Sequence, residues 1–413
     1  MRASAVSAAD LSGPSASAPA SAAPSPRTEN ARRLLEAAWS RGPLTASDLM
    51  ALTGLTRATV LGLCKDLERA GWLKQASDSR AAGVTAKGRP ALRYSFNPAS
   101  THVVGVDAGQ HTMTAVLADL RGAEVHRCRC SPDPEASGAV RRRKLEQLVE
   151  DLLADAGLGD DDVSAVTLGV PAPVDAEGRS PSDVLDNFWP RMNPDLVTVF
   201  AERPWQTIAD NDANLAAVAE SSVGVNAGVR TYATLLSGER FGAGIVIDGH
   251  LLRGRRGGVG EMRVLDLVTG VGHPHGMTYR ARQEVARAGA DGRLAGSSLA
   301  ALPSDGVRAE HVFAAAREGD ALAASIVEEL AQTLAQVAML LSGLLDLDRI
   351  IVAGAVAASA QPVLERAREI MGHESTMSWA ELVASDLGED VVLRGAVESA
   401  VRLVRASALT GSS

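Results

Sequence analysis

Twice along this chain three short apolar strands are followed by an amphipathic helix and a further strand, and few architectures accept that order in duplicate. In the first copy residues 102–107 (HVVGVD) read as a buried strand ending in a carboxylate, and residues 112–120 and 124–130 as two more. A helix carrying Val140, Leu145, Leu148, Val149 and Leu152 leads to the strand 163–169. The second copy places strands at 232–236, 244–248 and 250–252, a long helix at about 321–345 and a strand at 349–353. Gly354 then opens a helix reaching Met371, residues 391–393 make one more short strand, and a last helix covers 398–409. Three strands, a helix and a strand form a ribonuclease-H-like α/β unit, and the lack of a GxGxxG turn argues against a dinucleotide fold. Two related lobes imply a cleft between them, where a ligand is held from both sides.

The N-terminal part has another character. Residues 1–27 are rich in Ala, Ser and Pro, without a basic start followed by an apolar block, and are expected to be a disordered tail rather than a signal peptide. From Thr28 the spacing of Leu34, Leu35, Ala38 and Trp39 predicts a helix, and a second short helix follows Thr45. Thr53-Gly54-Leu55 is a turn, Thr56 caps a third helix with Val60, Leu63, Cys64 and Leu67 on its buried stripe, and Gly71 closes it. Strand-like runs at 72–73 and 92–96 flank a polar loop, so the order is that of a winged helix-turn-helix over residues 28–96. A small protein-docking bundle would share this spacing, but the charge weighs against it. Residues 27–96 hold twelve basic and six acidic side chains, a balance of +6, so within a net charge of −9 the body carries −15, since residues 1–26 cancel.

Composition closes off other classes. Aromatics at 3% leave little for a base-stacking surface. Cys64, Cys128 and Cys130 make no disulfide framework and suit a reducing cytoplasm; Cys128 and Cys130 alternate with Arg127 and Arg129 on what reads as one face of a strand. No segment reaches the roughly 18–20 apolar residues of a membrane span; the longest, 334–345, is interrupted by Gln336 and stops at Asp346. A membrane is therefore not an expected partner.

The stretch 237–261, SGERFGAGIVIDGHLLRGRRGGVGE, ties the second lobe together: a glycine-broken loop, an apolar strand, a turn at Asp248-Gly249, a second strand, and a bare GGVG run that delivers Glu261. With the segment NDANLAA at 211–217, and with Gly254 and Gly260-Glu261 after GIVIDG, it resembles the ROK family of sugar kinases and transcriptional regulators over about residues 28–410. The resemblance implies a two-lobed actin-like α/β body, with a first lobe over 97–223, a second over 224–413 whose C-terminal helix returns to the first, and a winged helix-turn-helix of the regulator branch. By that resemblance Asn211, Asp212 and Glu261, with Asn187, are the effector-binding residues. Carboxylates and amides suit adjacent sugar hydroxyls.

Departures from the family pattern separate kinase from regulator. The first phosphate loop is Asp-x-Gly-Gly-Thr in the kinases, whereas residues 107–112 read DAGQHT; the second is Gly-Thr-Gly-x-Gly there and GERFG at 238–242 here. A carboxylate and bulky side chains stand where bare backbone must approach polyphosphate, and Glu239 would repel the anion. The cysteine-rich zinc run of the family is missing, since 262–284 holds no cysteine; His273 and His275 offer two nitrogens without further ligands, and Val264 stands where the family has a sugar-contacting histidine. The expectation is a cytoplasmic DNA-binding regulator of repressor type, not an enzyme, with no cofactor, metal or catalytic residue, acting as a homodimer or higher oligomer on an operator under a sugar-like effector. The alternatives are a sugar kinase with an appended DNA module and a regulator that has lost its effector.

On DNA the third helix is expected to offer Arg57, Thr59, Leu61 and Lys65, and the wing Lys87 and Arg89. Arg89 stands between Gly88 and Pro90 on a slim finger suited to a minor groove. Arg89→Ala is expected to weaken operator binding by about 1–3 kcal/mol; titrations at several salt concentrations check this, and an unchanged affinity removes the wing from the interface.

Overall fold

The computed structural model describes residues 25–76, 92–182, 187–226, 228–303, 306–374 and 378–410. The chain packs as two compact units, one up to Asn97 joined by the residues from Ala406, the other Pro98–Arg405.

The first unit opens with α1 (Pro26–Trp39), capped by the Ser25 hydroxyl and started by a proline whose missing N–H costs nothing there. After β1 (Leu44–Thr45), α2 (Ala46–Thr53) begins in a reciprocal box between Thr45 and Asp48, and Gly54 ends it in the left-handed region. Then α3 (Arg57–Arg69) starts at the Thr56 hydroxyl and buries Val60, Leu63 and Cys64. Strands β2 (Leu73–Ala76) and β3 (Arg93–Phe96) complete an antiparallel sheet in the order β1-β3-β2. Trp39 stacks on Phe96 with ring centroids 4.1 Å apart, fastening α1 to the sheet. The finger at Lys87 and Arg89 lies outside the described residues.

The body holds two sheets of identical topology. β4 (His102–Ala108), β5 (Met113–Asp119), β6 (Glu124–Cys130), β7 (Val163–Val170) and β8 (Gln206–Asn211) lie in the order β6-β5-β4-β7-β8. β9 (Tyr232–Ser237), β10 (Phe241–Ile247), β11 (His250–Leu252), β12 (Arg349–Ala353) and β13 (Glu381–Ala384) repeat it as β11-β10-β9-β12-β13. In both, the first three strands are antiparallel and the last two parallel. Helix α4 (Gly138–Ala156) covers the first sheet with Leu145, Leu148, Val149 and Leu152 against Val104, Val106, Val166 and Leu168. Short α5 (Phe188–Met192) follows, and α6 (Asp212–Val223) leads into the second lobe. There α7 (Met277–Ala290), α8 (Ala309–Arg317), α9 (Ala321–Leu345) and α10 (Gln361–His373) enclose a core of Leu235, Phe313, Leu334, Ala338 and Val352. Helix α11 (Val391–Thr410) closes the body, packing Val391, Val392 and Ala396 on Leu215, Ala216 and Ala219 of α6.

Three expectations are corrected. Residues 391–393 are the first turn of α11, not a strand; three apolar residues fit either state, and the burial of Ala396 and Ala400 further along carries the helical period. The parallel edge is β13, whose four residues are too brief for a pattern to show. Gly354 does not open α10: it has φ +94°, a 3-10 turn at Ala357–Ser359 follows, and the helix starts at Gln361 with Pro362 in its first turn. The 25 residues of α9 are also long and apolar enough to span a bilayer, contrary to the sequence count, but they pack as a core helix, with Ile326, Leu330, Leu334 and Val337 buried in the second lobe.

The crossing of α11 over α6 depends on Gly395, where a Cβ would stand 1.8 Å from the carbonyl oxygen of Leu215. Backbone on both sides cannot give way as a flexible side chain would. Gly395→Ala is therefore expected to destabilise the body by about 1–3 kcal/mol through overpacking, read as a lowered Tm in thermal melts of the full chain.

Candidate functional site

The carboxyl ends of β4, β8, β9 and β12 converge on one cavity of about 320 Å³ between the lobes. Asp107 reaches it from the end of β4 and Asp212 from the first residue of α6. Glu261 is brought in by backbone pairing, because the Gly260 carbonyl accepts from Ala243 N–H at 3.0 Å while Glu261 bridges Gly242. Only glycine suits position 260: φ is +85°, and a Cβ would lie 1.7 Å from the Ala243 oxygen. Asn211, Phe188, Trp189, Arg240 and Arg263 complete the polar and aromatic lining used below. Asn187 is exposed at the start of α5, left-handed at φ 53°, and is not among the lining residues.

A second layer holds the α6 end in place. Asn211 is the cap: its side-chain oxygen accepts from Ala213 N–H at 3.0 Å and Asn214 N–H at 3.3 Å, and its amide donates to Ala172 O at 3.1 Å. Buried Asp210 accepts from Asn211 N–H, the Asn214 amide and the Arg253 guanidinium, the last at 2.7 Å. Most of Asn211 is thus spent on structure, which leaves the carboxyls as the chief groups for a ligand.

Enclosure dominates the electrostatics. Burial pushes Asp212 up to about 8, helped by the charges of Asp107 and Glu261 and opposed by the Ala213 N–H. Burial likewise raises Glu261 to about 7 against the pull of Arg263 and Arg240, and Asp107 to about 6. The two arginines lie over aromatic rings, Arg263 at 4.0 Å from the Trp189 centroid and Arg240 at 4.6 Å from that of Phe188. Burial and mutual charge thus favour the protonated forms of these carboxyls, which add hydrogen-bond donors to a site of acceptors.

The loop that corresponds to the second phosphate loop is closed down onto α7. Gly276 N–H donates to Glu239 O at 3.0 Å, Met277 N–H to the Ser237 hydroxyl at 3.1 Å and Thr278 N–H to Gly238 O at 3.2 Å. These are the free N–H groups of a helix start, the ones that could otherwise hold an anion. Glu239 itself is paired bidentately with Arg282 at 2.9 and 2.7 Å, which lowers its pKa. The pairing with Arg282 largely neutralises the repulsion of an anion that Glu239 alone would exert. Beneath the first loop, fully buried Arg141 donates to the carbonyls of Ala108 at 2.7 Å and Gly109 at 3.1 Å.

In the first unit Arg57 and Lys65 are exposed on α3, Leu61 is half-buried, and the Thr59 hydroxyl lies 2.9 Å from that of Thr56 within the helix cap. Sequence reasoning placed Asp212 and Glu261 in one cavity but left out Asp107, Arg240 and Arg263. Asp107 carried a signal, a lone carboxylate ending a buried strand; nothing in the sequence pairs Arg263 with Trp189.

Two lobes of one topology around a carboxyl-lined cleft define an actin-like sugar-kinase type of body, here in a chain that also holds a winged helix-turn-helix. The chain belongs to the ROK family, whose model matches residues 103–402. Residues 30–77 match the IclR helix-turn-helix domain. A glucokinase of Halalkalibacterium halodurans is 26% identical over 306 residues, 71% of this chain and 92% of that one. The DNA-binding transcriptional dual regulator NagC of Escherichia coli is 23% identical over 327 residues, 76% of this chain and 77% of its own. A crystal structure described as a ROK family transcriptional regulator, homolog of E. coli MLC protein, shares the fold with a TM-score of 0.69 at 21% identity, covering 94% of this chain and 99% of that one.

Carboxyls whose folded pKa is raised stabilise the fold below their unfolded values near 4, and that contribution is lost as pH climbs through the folded values of about 6 to 8. Ligand-free protein is therefore expected to melt lower at pH 8.5 than at pH 5.5. Asp212→Asn should recover on the order of a few kcal/mol at the higher pH, with the gain shrinking toward the lower. Thermal melts of both proteins across that range check the sign.

Proposed function

We propose that this protein is a DNA-binding transcriptional regulator of repressor type whose ROK body binds a sugar or sugar-like polyol and adjusts operator affinity. The observation that carries this over a kinase is loop 237–241 itself, where Glu239 and Arg240 set bulky side chains in place of bare backbone and the loop's carbonyls are fastened to the start of α7. A winged helix-turn-helix with Arg57 and Lys65 exposed on α3 supports double-stranded DNA as partner, and the NagC relative is a regulator by name. The glucokinase relative supports the opposite reading, so activity is tested directly.

Asp107, Asp212 and Glu261 are assigned to the effector's hydroxyls, with Asn211 adding an amide and Trp189 and Phe188 flanking. Arg57, Leu61 and Lys65 are assigned to DNA, with Lys87 and Arg89 on the wing; direct base readout is thin because Thr59 is engaged in the cap and Leu61 offers only apolar contact. Asp107 and Asp212 enter the cleft from the first lobe and Glu261 from the second, so a ligand bound to all three favours one lobe arrangement. In a homodimer acting in the cytoplasm, that shift moves the DNA-binding modules relative to half-sites about 34–36 Å apart.

Genomic fragments selected on the protein supply the operator. Sugars, polyols and sugar phosphates are then titrated against wild type and Asp212→Ala, following binding heat and operator release, with an expected coupling of about 1–3 kcal/mol. Lys65→Ala should weaken operator binding by about 1 kcal/mol and reduce its salt slope. Binding of a sugar without any change in DNA affinity refutes the coupling, and robust ATP-dependent turnover of a hexose refutes the regulator-only reading.

A further inference from the structure

On the face of β6 turned toward α4, His126 and Cys128 stand two residues apart, the spacing at which strand side chains share a side. Asp155, in the last turn of α4, reaches the same place. His126 Nε2 lies 3.6 Å from Asp155 Oδ2, and Cys128 Sγ lies 3.8 Å from that same oxygen. The nitrogen, sulfur and oxygen all fall within 4.8 Å of one another, and among the described residues no other three such side chains converge so closely. The cluster belongs to neither the cleft nor the segment 262–284.

We propose that His126, Cys128 and Asp155 form a binding site for a zinc-class transition-metal ion, with water as the fourth ligand. Zinc takes imidazole nitrogen at about 2.0–2.1 Å, carboxylate oxygen at about 2.0–2.2 Å and thiolate at about 2.3 Å, so the edges of a tetrahedral site measure about 3.3–3.7 Å. The two separations to Asp155 sit close to those edges before any ion is added. A set of one nitrogen, one sulfur and one oxygen suits zinc, cobalt or copper, and disfavours magnesium and calcium, which demand oxygen. The ligands are placed on paired elements: β6 pairs with β5 from His126 to Cys130, with a register shift between His126 and Glu124, and Cys128 packs against the core beneath α4. His126 and Cys128 are half-buried while Asp155 is exposed, so an ion can enter from solvent without opening the fold. On binding, the thiol gives its proton to solvent and the metal gains a thiolate; no redox step is involved.

Cobalt(II) is the probe, added to the full-length chain after treatment with a chelator. One equivalent is expected to bind, with visible bands of a four-coordinate ion, a thiolate-to-cobalt charge-transfer band in the near ultraviolet and a raised Tm; zinc should bleach both absorptions and magnesium should not. Cys128→Ser should abolish the charge-transfer band and Asp155→Ala weaken binding by about tenfold or more, while Cys64→Ser and Cys130→Ser leave both intact. Circular dichroism verifies that each variant is folded. Absence of the charge-transfer band in the wild type overturns the proposal, as does a band that survives Cys128→Ser.

Discussion

The body depends on a helix that has no solvent face for most of its length. From Ala213 to Glu220 every residue of α6 is buried, and its two sides face different partners. Leu215, Ala216 and Ala219 meet α11, while Ala217 meets Tyr232, Val246 and Ile351 of the second sheet. Such close approach explains the alanines: a larger side chain would push one lobe away from the other. It also leaves polar groups that must be satisfied in place. Tyr232 donates to the Ala217 carbonyl at 2.8 Å, and Glu220 takes the Ser385 hydroxyl and the Val225 N–H.

The same burial generates the chemistry of the cleft. The N-terminal turn of α6 points Asp212 into an enclosed space that already contains Asp107 and Glu261, and three carboxyls that cannot all ionise there make a site of mixed donors and acceptors. Across the cleft, backbone donors at the start of α7 are consumed by the neighbouring loop, and the Glu239–Arg282 pair occupies the space beside it. The loop and the start of α7 are thus fastened to each other across the cleft from the carboxyls, and the device is local to a few residues.

Much of the architecture could be read from the sequence because strand periodicity and cap chemistry act over a few residues. β6, β11, α9 and β12 fall at their expected positions, and Thr45, Thr56 and Gly54 act as the caps and turn their residue types imply. Reading failed where local signals are degenerate. The run at 391–393 is apolar in a helix or a strand alike, β13 is too short to show alternation, and α5 spans only five residues. In the cleft, Asp212 and Glu261 were recognisable from motif context. Asn211 lines the cavity as expected while its side chain also caps the helix and holds Ala172, and Asn187 stands outside the lining.

By itself, then, the sequence determined the two-lobed order, the winged helix-turn-helix and the loss of bare backbone in the phosphate loops, because spacing, glycine placement and charge are local properties of a chain. Tertiary structure decided what those residues face. It placed Asp107, at the end of central β4, beside Asp212, just past edge strand β8, laid Arg263 on Trp189, paired Glu239 with Arg282 from a helix some forty residues away, and brought Asp155 to His126 and Cys128. Those juxtapositions set pKa values, charge neutralisation and ligand geometry. They arise from packing between elements distant along the chain, for which neither periodicity nor propensity carries a signal.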